Sequence, residues 1–395
     1  MPTQSLTFPN AEGQAIAARL DLPPDQHPRA YAVFAHCFTC TKNLSAVRFI
    51  SRALNQAGFA VLRFDFTGLG DSDGEFADTN FTSNISDLAA AADFLSANYT
   101  APKLLVGHSL GGAAVLVAAR KIDSVEAVAT IGAPFQPGHV THMMEDSLEV
   151  LAEKGVAKVN IGGRPFEIKK QFVDDLKAAE QSEVLKKLRK PVLIMHSPQD
   201  TIVSIEEAAK IYHQAFHPKS FVSLDGADHL LSRKTDAVYA GQMIASWASR
   251  YLELPEKEEL QAKETVAVRL NAADGYTTDI KARHHALVGD EPASVGGNDF
   301  GPSPYELVTA GLGACTAMTL HMYARRKKWP LESVEVNLEH YKEKRDGEKV
   351  DVFTRTISIK GPLDEEQRTR LLEIANRCPV HRTLEGEVVV ETRLV

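Results

Sequence analysis

Residues 104–112 read LLVGHSLGG: an apolar run, then Gly107-His108-Ser109-Leu110-Gly111, then the small-residue stretch GGAAVLVAAR. A serine framed by glycines between a strand and a helix constrains this chain more than any other feature. The turn is sharp, so the serine takes a strained backbone conformation and the glycines let strand and helix pass closely. Its hydroxyl is lifted above the sheet, and the helix N-terminus is aimed at any anion that develops beside it. The G-x-S-x-G pattern has this meaning only in a strand–turn–helix setting, which the flanking residues supply.

The surrounding chain repeats that setting. Predicted strands are Ala30–His36, Ala60–Phe66, Leu104–Gly107, Ala127–Ile131, Val192–His196 and Phe221–Leu224. Most are unbroken apolar runs, as strands of a parallel sheet buried on both faces must be. Helical patterns at Leu88–Asn98, Gly111–Lys121 and Ser204–Ala215 alternate with them. The expected fold is α/β, a doubly wound, mostly parallel sheet. A charged, helix-rich stretch at about 135–190 interrupts the alternation and reads as a short cap.

A chain of 395 residues is long for one domain. LELPEKEELQAKET, ending at Thr265, is charged and punctuated by proline, as a hinge between domains is. The expected division is 1–252, a linker at 253–265, and 266–395. In the second part, strands Val266–Asn271 and Tyr276–Ala282 precede the turn GGNDFGPSP and a long helix from Tyr305 to Lys327. Strands Ser333–Tyr341 and Val350–Lys360, helix Asp364–Arg377 and strand Glu387–Leu394 follow, with a hairpin turn at Asp346-Gly347. Strands and helices are segregated there, which is an α+β pattern.

Composition narrows the function classes. The formal net charge of −8 leaves no basic excess for nucleic acid. The N-terminus lacks the basic and apolar regions of a secretory signal. No uninterrupted apolar run reaches ~18 residues, so no membrane span is expected. Four cysteines, Cys37, Cys40, Cys315 and Cys378, are too few for a disulfide scaffold and suit a cytoplasmic location. His108, His284, His285 and His381 lack metal-ligand spacing, and neither a metal nor a cofactor is expected.

A serine hydroxyl needs a base, and the base an orienting acid. Asp200 follows the strand VLIMH, and His229 follows the next strand, so the chain order is Ser109, Asp200, His229. Asp225 and Asp228 are rival carboxylates, but neighbours on a chain rarely face each other well. The N–H of Leu110 supplies one oxyanion donor, and the loop HCFTCTKN supplies the other, at Phe38. With His36-Cys37-Phe38, Arg63–Asp71 (RFDFTGLGD), Asp73-Gly74, GHSLGG and HSPQD, the first domain resembles the α/β-hydrolases. The expected chemistry is an acyl-enzyme on Ser109 with His229 as base and proton donor. Because the cap is short and no acidic pocket for a peptide amine is readable, a small ester is the expected substrate and a peptide amide the rival. Cys37 stands where that family commonly has glycine. Cys37 and Cys40 also spell C-x-x-C, a redox or metal signal elsewhere, here on a loop committed to the oxyanion.

GGNDFGPSPYELVTAGLGACTAMTLHMYARRK and NRCPVHRTL resemble the OsmC/Ohr family. The resemblance implies an α+β domain intertwined as a homodimer, and reduction of organic hydroperoxides by thiols. Cys315 matches the peroxidatic position, Cys378 the resolving one, and Glu306 the carboxylate that helps hold an activating arginine. Arg269 and Arg283 are both candidates for that arginine. The cycle would end on an external dithiol reductant. Two buried core cysteines in a domain that binds or merely dimerises is the competing reading. Met143-Met144, in the cap, either lines an acyl pocket or packs a helix.

Overall fold

The computed structural model describes residues 3–161, 164–179, 181–255, 260–345 and 347–394, and divides into two compact units, Met1–Glu259 and Leu260–Val395. The first unit begins with a hairpin, β1 (Thr3–Pro9) and β2 (Ala15–Asp21), which the sequence reading lacks. Then come β3 (Ala30–Ala35), α1 (Ser45–Gln56), β4 (Phe59–Phe64), α2 (Phe81–Asn98), β5 (Leu104–His108), α3 (Leu110–Ala118) and β6 (Ala127–Ile131). A cap follows: a 3-10 segment at Pro137–Met144, α4 (Glu145–Lys154), the hairpin β7 (Val156–Ile161) and β8 (Arg164–Lys169), α5 (Lys170–Ala178) and α6 (Gln181–Lys187). The insertion is therefore mixed rather than purely helical. β9 (Val192–His196), α7 (Ile205–Gln214), β10 (Lys219–Ser223) and α8 (Lys234–Tyr251) complete the unit.

Eight strands form one sheet in the order β1-β2-β4-β3-β5-β6-β9-β10. β3, β4, β5, β6, β9 and β10 run parallel, and β1 and β2 are antiparallel at the edge. Alternate residues of one strand enter opposite cores. Tyr31, Val33 and Ala35 pack with α2 and α3, whereas Ala30, Ala32 and Phe34 pack with α1 and α8. Continuous apolar runs follow from this double burial. α2 starts two turns before the predicted Leu88 because Asn80 and Ser83 make a reciprocal cap.

The second unit has a three-stranded antiparallel sheet of β11 (Val266–Leu270), β12 (Thr278–Ala282) and β13 (His285–Gly289). After it come α9 (Pro304–Lys327), the long hairpin β14 (Ser333–Arg345) and β15 (Glu348–Lys360), α10 (Glu365–Ala375) and α11 (Pro379–Glu385). Asp346, predicted in the hairpin turn, lies outside the described residues. β13 and α11 were not expected. A small core gathers Leu320, Ala324, Leu363, Leu371, Ile374 and Ala375.

One expectation is corrected here. Glu387–Leu394 is not a strand; it has no ladder, and Val389 and Val390 are 76% and 82% exposed. Alternating apolar residues make a strand only when a neighbouring edge accepts their backbone hydrogen bonds. By length and composition α9 is apolar enough to cross a membrane, and 28% of its apolar window is buried.

Candidate active site

Ser109 caps α3 with φ 54° and ψ −124°, a conformation that non-glycine residues rarely hold. Its own N–H is tied to the Ile131 carbonyl at 2.8 Å. Gly111 is required by close approach, since a Cβ there would lie 2.4 Å from the His36 carbonyl oxygen. That contact presses the end of β3 against the first turn of α3 and brings the HCFTCTKN loop beside Ser109. Sequence and geometry are linked here through a missing side chain.

The structure brings Ser109, His229 and Asp200 together. His229 Nε2 lies 2.9 Å from Ser109 Oγ, and His229 Nδ1 lies 2.7 Å from Asp200 Oδ2. The other Asp200 oxygen accepts the N–H groups of Ile202 at 2.8 Å and Val203 at 2.9 Å. Burial pushes the Asp200 carboxyl up, but His229 and these N–H groups outweigh it and hold it below the ordinary carboxylate range. The rivals are engaged elsewhere: Asp228 accepts the Ser232 N–H, and Asp225 the Ser223 hydroxyl. His108 bonds the His229 carbonyl at 2.7 Å. Burial and the neighbouring His229 ring push His108 down to about 3, so it stays a neutral donor that fixes the His229 loop. Gly132, with φ 55°, lies against the same pair, where a Cβ would stand 3.3 Å from both Asp200 Oδ2 and His229 Nδ1.

Neither the Phe38 N–H nor the Leu110 N–H meets an acceptor among the described residues. The loop that carries Phe38 is clamped at its far end. The Lys42 N–H bonds Asp65 Oδ1 at 2.6 Å, its ammonium bonds Asp65 and, at 2.7 Å, Asp71, and its carbonyl accepts from Arg63. Arg63 is itself paired with Asp21. The Phe38 ring stacks on Phe172 of α5 at 5.3 Å and packs on Phe76 at 5.6 Å, which ties the loop to the cap. Cys37 and Cys40 are joined in a disulfide, which pattern reading did not anticipate. The buried Met144 packs with the cap core; the Met143 side chain lies outside the described residues.

In the second unit, Cys315 and Cys378 are free thiols, and Cys315 helps hold the Cys378 thiol down. Cys378 Sγ accepts the His381 N–H at 3.3 Å and lies 3.7 Å from Thr316 Oγ1. Burial raises the Cys378 thiol; the His381 N–H, Thr316, Cys315 and the Arg355 cation outweigh it and leave the thiol below its ordinary range. Arg355 donates to Thr316 Oγ1 at 2.7 Å, and its charge acts on the Cys378 thiol. Arg269 instead pairs with Asp279, and Arg283 sits in the β12–β13 turn with φ 55°. The Glu306 carboxylate accepts the Ser303 N–H at 2.7 Å, closing a reciprocal cap on α9. His284 and His285 face each other, and His381 pairs with Glu385.

Two family models match the chain, "Serine aminopeptidase, S33" over residues 26–167 and "OsmC-like protein" over residues 296–393. The esterase domain of a Rhodothermus marinus protein is 50% identical, covers 64% of this chain and is itself covered over 99%, with a TM-score of 0.53. The chain is an α/β-hydrolase fused to an OsmC-like domain. The hydrolase unit also shares its fold with Est1E of Butyrivibrio proteoclasticus, at 22% identity and TM-score 0.53, with 62% of this chain and 99% of that one covered. The protein YfhR of Salmonella typhimurium is 24% identical over 204 residues, which are 51% of this chain and 65% of that protein. In the OsmC-like unit, the sequence pattern did not single out Arg355, whose charge acts on the Cys378 thiol. A signal for it existed, because it occupies an inward position of β15 otherwise filled by Phe353, Ile357 and Ile359.

Proposed function

We propose that the hydrolase unit is a carboxylic-ester hydrolase that works through an acyl-enzyme. The observation that carries this is the unbroken chain from Ser109 Oγ through both nitrogens of His229 to Asp200. Ser109 attacks the acyl carbonyl while His229 Nε2 takes its proton, and Asp200 holds the ring and stabilises the imidazolium. The N–H groups of Phe38 and Leu110 receive the oxyanion, each typically worth ~3 kcal/mol of barrier. His229 then protonates the leaving alcohol, and water enters by the same steps to release the acid. Identity to an esterase domain favours an ester over a peptide amide. The test is turnover of p-nitrophenyl esters of increasing chain length, with the adduct mass after a phosphonate inhibitor. A phosphonate adduct on a residue other than Ser109 would overturn the assignment.

A second reading rests on a different observation, the Cys315–Cys378–Arg355 cluster. The half-buried Cys315, as thiolate, takes the terminal oxygen of an organic hydroperoxide and becomes a sulfenic acid, releasing the alcohol. Cys378 attacks that sulfur, a disulfide forms and water leaves. An external dithiol then reduces the disulfide. We also propose that this unit pairs with a second copy. Met318 and Met322 on α9 are 65% and 70% exposed, and residues 387–394 have an apolar alternation with no strand to pair with. Apolar surface of that kind is ordinarily covered.

A further inference from the structure

We infer that Cys37 and Cys40 form a second thiol–disulfide site, modified reversibly by dithiols, whose state sets the hydrolytic rate by holding the oxyanion turn. The inference rests on Ser109 being the nucleophile and Phe38 an oxyanion donor. The disulfide spans a four-residue turn in which the Cys40 N–H bonds the Cys37 carbonyl at 3.1 Å. Phe38 is the second residue of that turn and Thr39 the third. Thr39 has φ 62°, the left-handed region that this turn position ordinarily reserves for glycine or asparagine. A β-branched residue is strained there. The local sequence thus disfavours the turn, and the cross-link between its first and last residues opposes its relaxation.

The flanks confine the effect to this turn. Upstream, β3 is buried in the sheet and His36 bonds the Cys37 carbonyl at 2.8 Å. Downstream, Lys42 is fixed by Asp65, Asp71 and Arg63. Between these anchors the Phe38 ring stays packed on Phe76 and Phe172 and the Thr41 carbonyl accepts the Leu44 N–H, so opening the cross-link shifts the backbone of the turn, which carries the Phe38 N–H. Cys37 is 4% exposed and Cys40 is half-buried, so an incoming thiolate meets the Cys40 sulfur. That attack breaks the Cys37–Cys40 bond, joins the reductant to Cys40 and releases Cys37 as a thiolate, which takes up a proton. The second thiol of the reductant then displaces Cys40, so the dithiol leaves as a disulfide and two electrons stay on the pair.

The test uses the full chain with dithiothreitol as the probe. Site-resolved alkylation and peptide mass mapping follow the Cys37/Cys40 peptide across a dithiol/disulfide series, independently of any activity. Initial rates on p-nitrophenyl acetate are read on the same samples. The expected result is a reversible transition of that peptide, matched by a fall in kcat of about tenfold to a hundredfold, as befits a weakened oxyanion donor. KM should change by no more than about twofold. Cys40→Ser and the doubly substituted Cys37→Ala/Cys40→Ala chain should show the reduced rate and ignore dithiothreitol. Equal kcat in both states, a pair that does not exchange, or a dithiothreitol response surviving in the variants each overturns the inference. If neither state turns over ester above Ser109→Ala, the nucleophile reading has failed; the peptide transition then reports separately on the exchange site, and control of rate falls.

Discussion

Ser109 heads a nine-residue helix of which eight residues are buried, whereas Cys315 lies in a 24-residue helix with five buried residues among those described. Around the serine, one chain supplies the sheet, the His229 loop, the Asp200 loop and the clamp on Lys42. Around Cys315, among the described residues, Met318 and Met322 on the helix and Val388, Val389 and Val390 in the terminal segment are left exposed. A site closed by its own chain is positioned by local rules, such as a sharp turn, close glycines and strand ends. A site on an open face depends on contacts that local rules do not encode.

The largest effect expected on this contrast is at the serine. Ser109→Ala should lower kcat/KM for p-nitrophenyl acetate by at least about 10^3-fold, leaving what an oxyanion hole and binding alone provide. Ester turnover that survives the change would erase the contrast, since neither unit would then have a defined nucleophile. Second in size is the open face. Met322→Glu, or loss of residues 387–395, should weaken self-association by about a hundredfold in sedimentation, because an apolar contact is replaced by an unpaired charge or removed. A wild-type chain that sediments as a monomer would show that the second unit stands alone after all.

The same contrast governs what could be read in advance. Unbroken apolar runs such as Ala127–Ile131 and Val192–His196 match strand limits to the residue, because double burial leaves one solution. β1 and β2 were missed because TQSLTFP and AIAARLD carry fewer large apolar residues than the runs beside them. Asp200 and His229 were legible because each lies on the loop that follows a parallel strand. The Lys42 clamp was not, since it joins loops 23 residues apart. Glu306 carries two readings in sequence, because a glutamate three residues after Ser303 also satisfies a capping box, and the structure contains that cap. Arg355 was legible in principle as a charge on an apolar strand face.

Gly132→Ala probes how tightly the closed site is packed. A methyl group there enters a left-handed position and stands 3.3 Å from both Asp200 Oδ2 and His229 Nδ1. It should turn the imidazole from its line with Ser109 and lower kcat by about tenfold with KM little changed, since small misalignments at reacting groups are costly. An unchanged kcat would mean that the loop yields, and that the hydrolase site is less rigid than the comparison holds.

The smallest effect is expected at Arg355. Its guanidinium lowers the Cys378 thiol by its charge, and it also donates to the Thr316 hydroxyl oxygen, which lies 3.7 Å from the sulfur. A thiol held below its ordinary range is thiolate at lower pH, and the stability this lends the fold is present above the unfolded value and lost as pH falls through the folded one. Arg355→Met removes one contribution and leaves the His381 N–H, so the pH midpoint for alkylating Cys378 should move upward, and reaction at pH 7 should slow by less than the factor at Gly132. Arg355→Lys should keep the charge and recover part of the shift without the fork to Ala375 and Asn376. A midpoint unmoved in Arg355→Met would make the arginine a structural brace for α10 and β15, and the cysteine pair would lose its electrostatic support.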